Sequence, residues 1–296
     1  MTPRRLGIGL ALRLLLPGVV ACGSLAGCKS SDSGTDAGSK DVGAITNCPV
    51  GTDDLISNFD SNNGIQATDD GRRGGWYVYG DDNGTFDPPK VEGAPYPIDM
   101  TTGNPNCSGA GSLRLKATGF TGFGAAMGTD FKPRQAVDGG DGGALGPKGT
   151  YDASRYKGIA FWAKSAAPLK LVQVKFPDVN TDTEAPPHEN PTCILNAASV
   201  MNCSPYLVKF GEVTEGGTGD FAKYSTAQIN ATWKRFEVLF ADAKQDSTNP
   251  GYKPTPDRLD TTRLLGMAIQ VNADFSTKPP TANNFELWID DLEFLK

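Results

Sequence analysis

Apolar and polar residues alternate in short runs along most of the chain. The clearest run spans residues 158–164, and residues 113–117, 169–176, 233–240 and 265–271 show the same period of two. This period is typical of strands that bury one face. We found no amphipathic helix longer than a turn or two. The pattern predicts about ten strands in two packed antiparallel sheets, an all-β, jelly-roll-like sandwich, in which residues 169–176 form a hairpin with 158–164.

The final run, residues 285–295, changes phase in its middle. Its apolar residues fall on two opposite phases: Phe285, Leu287 and Ile289 on one, Leu292 and Phe294 on the other. A β-bulge at Asp290 and Asp291 would keep both sets buried, because one extra residue reverses the facing of those that follow. The sequence therefore predicts a core strand that closes the domain, with two carboxylates at its bend.

The N-terminus has the pattern of an export signal. Arg4 and Arg5 precede an apolar run, residues 6–16, which is shorter than the ~20 residues that cross a bilayer. Small residues then lead to Cys28 in the sequence Leu-Ala-Gly-Cys.

Leu-Ala-Gly-Cys resembles the bacterial lipobox, which implies cleavage before Cys28 and lipidation of that cysteine. A second reading places the lipid on Cys22, and a third is an ordinary cleaved signal with an incidental cysteine. Lys29 after the cysteine favours the outer membrane. We expect residues 1–27 to be a signal peptide, 28–47 a flexible tether rich in Ser, Gly and Asp, and 48–296 the β-sandwich.

Charge argues against nucleic acid as a partner. The net charge is −6, and removal of residues 1–27 takes away Arg4, Arg5 and Arg13 but no acid, so it becomes −6 − 3 = −9. Binding to phosphates requires a basic face. The content of 36 Gly and 21 Pro suits many short strands joined by turns.

Four cysteines remain once Cys22 and Cys28 are set aside: Cys48, Cys107, Cys193 and Cys203. An even number in an exported protein predicts disulfides, for which three connectivities exist. The simplest pairs Cys48 with Cys107 and Cys193 with Cys203. A zinc site is disfavoured, because there is no Cys-x-x-Cys and His188 is the single histidine.

Four motifs resemble one family when taken in order along the chain. They are residues 75–79, 151–164, 233–238 and 285–292. Their order is similar to that of the galactose-binding-like β-sandwiches of carbohydrate-binding modules, closest to the family 11 type, and of bacterial lipoproteins that share the fold. The resemblance covers roughly residues 50–296. It implies a non-catalytic module that binds a polysaccharide or other glycan.

A glycan site needs rings that stack on sugars and polar groups that bind hydroxyls. Trp76, Tyr77 and Tyr79 are the stacking candidates, and Asp70, Arg72 and Asp82 are the candidate hydroxyl partners. In the alternative, Trp76 is core and the tyrosines only fill a sheet face. The other tryptophans, Trp162, Trp233 and Trp288, are expected in the core.

Acids at the predicted bulge suggest a structural calcium ion. Asp290 and Asp291 would lie near Asp60 if the first and last strands are neighbours, and calcium prefers such oxygen ligands. The family resemblance also implies calcium near strand ends. The alternative is that these acids only accept backbone hydrogen bonds.

Catalysis has little support in the sequence, which lacks Gly-x-Ser-x-Gly, His-Glu-x-x-His and a phosphate-binding loop. We therefore expect that the protein is not an enzyme. Two function classes stay open: a surface-tethered glycan-binding lipoprotein, and a structural or protein-binding envelope lipoprotein without a glycan ligand.

Overall fold

A computed structural model describes the part of the chain that carries the predicted strands. The described residues are 48, 53–60, 65, 68, 70–91, 94–107, 109–132, 134, 146–169, 171–182, 184–186, 193–195, 200–201, 204–210, 228–245, 258–274 and 279–296. They belong to one compact unit, Thr46–Lys296. The predicted signal peptide, Cys22, Cys28, His188 and the whole of the tether, residues 28–47, lie outside them. No helix in these ranges is long and apolar enough to span a membrane.

Thirteen strands occur within these ranges. They are β1 (Leu55–Ser57), β2 (Trp76–Gly80), β3 (Thr85–Asp87), β4 (Leu113–Thr118), β5 (Ala125–Asp130), β6 (Gly158–Ser165), β7 (Val172–Phe176), β8 (Ile194–Leu195), β9 (Val200–Met201), β10 (Tyr206–Phe210), β11 (Lys234–Leu239), β12 (Gly266–Val271) and β13 (Phe285–Leu295). The helices described are two short 3-10 turns, Phe240–Asp242 and Thr261–Arg263.

Two antiparallel sheets form the sandwich. The first sheet has the order β11-β6-β13-β4-β3, with β1 paired to the second half of β13. The second sheet has the order β10-β7-β12-β5-β2, and β8 pairs with β9 separately. The predicted all-β antiparallel sandwich is confirmed.

The core lies between the inward faces of the two sheets. Leu115, Phe161 and Ile289 from the first sheet and Val174 and Ile269 from the second are completely buried. Burying each such side chain contributes about 1.5–3 kcal/mol. The two sheets are therefore held together by the alternate residues that the sequence pattern identified.

The predicted hairpin between residues 158–164 and 169–176 is wrong. β6 pairs with β11 and β13 in the first sheet, whereas β7 pairs with β10 and β12 in the second. Alternation shows that each strand buries one face, but both sheets bury a face in the same core. The pattern therefore could not say in which sheet a strand lies.

The bulge in β13 is confirmed. The register between β13 and β6 shifts between Asp290 and Glu293, and Asp291 has a positive φ of 48°. This conformation is uncommon for residues other than glycine but is tolerated by Asp. It returns Leu292 and Phe294 to the core, where they are 0% and 2% exposed.

The disulfide prediction is confirmed where the structure describes it. Cys48 is bonded to Cys107, which ties the start of the domain to the loop before β4. Cys193 is also disulfide-bonded. Cys203, its predicted partner, lies outside the described residues.

Three tryptophans expected in the core lie on the outer face of the first sheet. Trp288 faces the same side as Lys164, its partner on β6, and Trp162 is paired with Asp290 on that side. Trp233 precedes β11 and contacts Lys164. The inward positions beside them are held by residues such as Phe161 and Ile289, so the expectation of a core role is wrong for Trp162 and Trp288, whereas Trp233 is buried at 9% exposure.

Candidate functional site

β2 places aromatic side chains on both of its faces, as the sequence predicted. Trp76 and Val78 point inward and are 1% and 2% exposed. Trp76 packs against Phe59, and their ring centroids are 5.3 Å apart. Tyr77 and Tyr79 point outward, and Tyr77 is 36% exposed. Trp76 is therefore a core residue, which corrects its assignment as a stacking residue.

The outward tyrosines are part of a row of three rings on the outer face of the second sheet. The ring centroids of Tyr77 and Tyr79 are 6.1 Å apart, and those of Tyr79 and Phe123 are 6.3 Å apart. Phe123 is 45% exposed. We call Tyr77, Tyr79 and Phe123 the aromatic row. It offers ring surface to solvent beside the small residues of β5.

Small residues opposite the tyrosines let the rings lie close to the sheet. Tyr77 is paired with Gly128 and Tyr79 with Ala126. A Cβ at Gly128 would stand 3.1 Å from the Tyr77 ring and 3.1 Å from the carbonyl oxygen of Met267. A larger residue at position 128 would therefore displace the ring.

Asp81 fixes the loop that carries Phe123. Its Oδ2 accepts hydrogen bonds from the backbone N–H groups of Gly122, at 2.7 Å, and Gly124, at 3.1 Å. Gly124 has a φ of 97°, which side-chain-bearing residues rarely adopt. The position of Phe123 thus depends on the turn that follows β2.

A network of ion pairs closes one end of the aromatic row. The Tyr77 hydroxyl donates to Asp130 Oδ1 at 3.4 Å, and Lys148 Nζ lies 3.5 Å from the same oxygen. Lys148 Nζ also lies 2.9 Å from Asp182 and 3.2 Å from Glu184. Burial alone would lower the pKa of Lys148, but these carboxylates outweigh it and the pKa is raised. Lys148 therefore stays charged.

On the other side of the row, Gln270 organises a second polar group. Its Oε1 accepts from Lys175 Nζ at 2.6 Å, and its Nε2 donates to the Phe123 carbonyl at 2.8 Å and to Asn272 Oδ1 at 2.5 Å. Gln270 is 3% exposed although it faces outward. The contact with Phe123 links this polar group to the aromatic row.

The phenols of the aromatic row stay neutral, and burial also raises the pKa of Asp130 beside Tyr77. Burial raises the pKa of Tyr79 to about 12 and also raises that of Tyr77, whose hydroxyl faces Asp130. Both phenols therefore stay protonated at neutral pH and can only donate or accept hydrogen bonds. Rings for stacking and fixed polar groups beside them are the elements of a sugar-binding surface.

Two of the predicted hydroxyl partners belong to a different region. Asp70 accepts a hydrogen bond from the Tyr151 hydroxyl at 2.9 Å and lies 3.3 Å from Arg155. It lines a cavity of about 260 Å³ with Lys132 and these residues. Arg72 is 0% exposed and cannot meet a ligand. The assignment of Arg72 to hydroxyl binding is therefore wrong, and Asp70 is not part of the aromatic row.

Asp82 is exposed in the turn after β2, three residues beyond Tyr79. Sequence reasoning missed Phe123, Asp130, Lys148 and Gln270. Phe123 lies in a glycine-rich stretch that hid its role, while Asp130 and Gln270 occupy outward positions that become informative only when the neighbouring strands are known.

The acids at the bulge come together as predicted. β1 pairs with β13, and Asp60 raises the pKa of both Asp290 and Asp291. Burial is the largest cause of the shift, and the like charges add to it, which brings the pKa to about 8 for Asp290 and about 6 for Asp291. In the described part of the chain neither carboxylate has a salt bridge.

The same acids are held by hydrogen bonds. Asp290 accepts from the backbone N–H of Asn104 at 2.9 Å and of Asp291 at 2.8 Å, and Asp291 accepts from Asn104 Nδ2 at 3.1 Å. Asp60 accepts from the Ala110 N–H at 2.8 Å. No three His, Cys, Asp or Glu residues in the described ranges are placed to hold a metal. The cluster offers calcium two neighbouring carboxyl groups but no ready arrangement of ligands among the described residues.

Comparison with known proteins gives structural similarity at low sequence identity. No family model matches the chain, and no curated protein matches it. Among solved structures, a family 11 carbohydrate-binding module from Clostridium thermocellum, in complex with a beta-1,3-1,4-mixed-linked tetrasaccharide, is 11% identical. It covers 82% of this chain and 94% of that chain, with a TM-score of 0.43.

A family 30 carbohydrate-binding module is 13% identical and covers 73% of this chain and 93% of that chain, with a TM-score of 0.38. An exo-beta-agarase covers 81% of this chain but 24% of its own, at 8% identity and a TM-score of 0.39. Family 11 and family 30 modules are thus structural neighbours of this chain, and the order of its strand motifs predicted the family 11 type. The likeness lies in the β-sandwich.

Proposed function

We propose that this protein is a surface-tethered, non-catalytic lipoprotein that binds a polysaccharide on the outer face of its second sheet. The observation that carries the proposal is the aromatic row, Tyr77, Tyr79 and Phe123. Two of its rings are more than a third exposed, and all three are fixed against small residues or by Asp81. Aromatic rings that are fixed in place and exposed to solvent usually mark a contact surface.

The polar groups beside the row supply both partners that sugar hydroxyls need. Asp130 offers carboxylate oxygens, and Lys148 and Lys175 offer ammonium donors at the two sides. All three are already oriented by hydrogen bonds or ion pairs, so little side-chain entropy is lost when a ligand binds. The surface is therefore built for recognition along a sugar chain.

Binding to mixed-linkage β-glucan in affinity gels tests the proposal. Replacement of Tyr79 or Phe123 by Ala should weaken retention about tenfold, since a stacked aromatic contributes roughly 1 kcal/mol or more. Met100→Ala is the matched control, because Met100 is 44% exposed but lies outside the row. If neither this glucan nor any other glycan is retained by the wild-type protein, the structural or protein-binding alternative replaces the proposal.

The lipid anchor is part of the same proposal and is supported by the Leu-Ala-Gly-Cys motif. Labelled palmitate should enter the wild-type protein but not Cys28→Ser, and the variant should leave the membrane fraction. Cys22→Ser is the control, because the alternative reading places the lipid there. Equal labelling of wild type and Cys28→Ser would contradict the assignment.

We also propose a structural calcium ion at Asp290 and Asp291, with backbone carbonyls completing its ligands. The support is the close approach of two buried carboxyl groups whose raised pKa values show that their charged forms lack a cation partner among the described residues, which a divalent ion would supply. Calcium bound only to the native state raises stability by about 2.7 kcal/mol at a hundredfold excess over Kd. An identical melting midpoint in calcium and in chelator would rule out the calcium site. The acids would then serve only as acceptors of backbone hydrogen bonds.

A further inference from the structure

The outer face of the first sheet carries a second group of aromatic side chains. Trp162 on β6 and Trp288 on β13 point to this side and are half-buried, and Trp233 joins them from the residue before β11. The Trp288 indole is oriented by a hydrogen bond from Nε1 to Asp99 Oδ2 at 3.3 Å. None of these residues takes part in the aromatic row, which lies on the other sheet.

Lys164 stands between two of these indoles. Its Nζ lies 5.1 Å from the centre of the Trp233 ring and 5.0 Å from that of Trp288. Within the described residues it has no hydrogen bond and no ion pair. The two rings hold the ammonium by cation–π attraction, and none of the described residues accepts a hydrogen bond from its three N–H donors.

Other charges on this face are already paired. Arg114 binds Glu286, with Nε 2.6 Å from Oε1, and Arg235 Nη2 lies 2.7 Å from Glu293 Oε1. These arginines and carboxylates neutralise one another. In the part of the chain that the structure describes, Lys164 is thus a positive charge without a counter-charge, on a protein whose overall charge is negative.

We propose that this face is a second carbohydrate-binding surface and that it selects carboxylated polysaccharides, those that contain uronic acids. A uronic acid carries its carboxylate on the same ring that stacks. A sugar that lies on the exposed part of Trp288 therefore brings its carboxylate next to Lys164. Neutral sugars would use the indole but leave the ammonium without an acceptor, so they bind this face more weakly.

The overall negative charge does not prevent such binding. Exposed charges farther away than the Debye length, about 8 Å at physiological ionic strength, are largely screened. The contacts between ligand and Lys164 are much shorter than this. Affinity for polyuronate should therefore depend on Lys164 itself and should fall as salt is added.

Isothermal titration of the full-length chain with polygalacturonate tests the proposal. Lys164→Gln should weaken binding about fivefold at low salt, the effect of one partly exposed ion pair, and Trp288→Ala should weaken it at least as much. Lys164→Arg should restore binding. Lys132→Gln is the matched control, because Lys132 also has no ion pair in the described part of the chain but lies after β5 in the second sheet.

Three results would overturn the proposal. The first is a wild-type protein that does not bind polygalacturonate. The second is an equal loss in Lys164→Gln and Lys132→Gln, which would indicate nonspecific attraction. The third is a Lys164→Gln variant whose affinity for neutral mixed-linkage β-glucan falls by the same factor as its affinity for polygalacturonate. Tyr79→Ala should leave polygalacturonate binding unchanged, so failure of the aromatic row and failure of this face are distinguishable. Melting midpoints show whether each variant is folded.

Discussion

Arg72 provides the most informative test of what stabilises the sandwich. Its side chain is fully buried, and its guanidinium carbon lies 5.4 Å from the Tyr151 ring centre and 5.2 Å from that of Phe294. Its Nη2 donates to the Asp53 carbonyl at 2.5 Å, and its Nε lies 3.7 Å from Asp70. The Arg72 guanidinium therefore links the segment before β1, the segment before β2 and the C-terminal strand β13.

The cost of Arg72→Ala can be worked from these contacts. The charged hydrogen bond contributes about 1.5–3 kcal/mol, and each cation–π contact roughly 0.5–2 kcal/mol. Removing a large buried side chain leaves a cavity that costs about 2–5 kcal/mol, which overlaps with the other losses. We expect a loss of about 4–5 kcal/mol, a large part of the ~5–15 kcal/mol that stabilises a typical domain.

Arg72→Met separates packing from charge. Methionine fills much of the volume, and Asp70 keeps the Tyr151 hydroxyl and Arg155 as partners, so the loss should be about 2 kcal/mol. Urea unfolding with an unchanged m-value measures both variants. Arg155→Gln is the control and should cost under about 1 kcal/mol, because Arg155 is 56% exposed. A loss below about 1 kcal/mol in Arg72→Ala would refute this account of the residue.

Three further changes test other parts of the structure. Reduction of the Cys48–Cys107 disulfide, whose partners are 59 residues apart, should cost about 2–5 kcal/mol in urea unfolding, and an unchanged midpoint would contradict it. Gly128→Ala should weaken glucan binding by displacing the Tyr77 ring, with about 1–3 kcal/mol of overpacking; retained affinity would show that the ring position is unimportant. The pKa of Asp290 is raised from an ordinary 3.8 to about 8, so the folded state holds this proton more tightly than the unfolded state does. The free energy of unfolding should therefore fall as pH rises from about 4 to 8. That fall should be smaller in Asp290→Asn and should flatten in calcium if the ion neutralises the cluster; equal pH profiles of wild type and variant would contradict the titration.

Local patterns predicted the features that depend on one strand. The change of phase in residues 285–295 had one economical solution, and the bulge at Asp290 and Asp291 is present. The alternation in β2 likewise implied that one set of its aromatics is core and the other faces outward, although it could not assign the sets. These predictions succeeded because a period of two fixes facing within a strand whatever its neighbours are.

Features that depend on several strands could not be predicted in this way. Arg72 is close to Tyr77 in sequence, but nearness in sequence does not place the two side chains together in space. The chain turns at Gly71, which has a φ of 90°, and Arg72 enters the core instead. Phe123 joins the aromatic row only because β5 pairs with β2, a pairing that no local pattern specifies.

The tryptophans of the first sheet show a signal that sequence reasoning overlooked. Trp162 shares its phase with Lys164, and Trp288 shares its phase with Glu286. A charged residue two positions away lies on the same face of a strand, and charges are rarely buried without partners. The positions of charged residues along a strand therefore indicate which of its two faces points outward. This holds even when a tryptophan lies on that outward face.

The placement of two aromatic surfaces on one sandwich has a consequence for binding. Each sheet buries one face in the common core, so the outer faces that carry Tyr79 and Trp288 look in opposite directions. A single straight stretch of polysaccharide cannot lie on both. On the two proposals above, one molecule would hold two separate chains, a neutral one and a carboxylated one, and each bound chain would raise the local concentration of the protein for the other. A mixture of β-glucan and polygalacturonate should then be co-precipitated by the wild-type protein. Co-precipitation should be weaker with Tyr79→Ala or with Lys164→Gln, because each variant weakens one of the two surfaces.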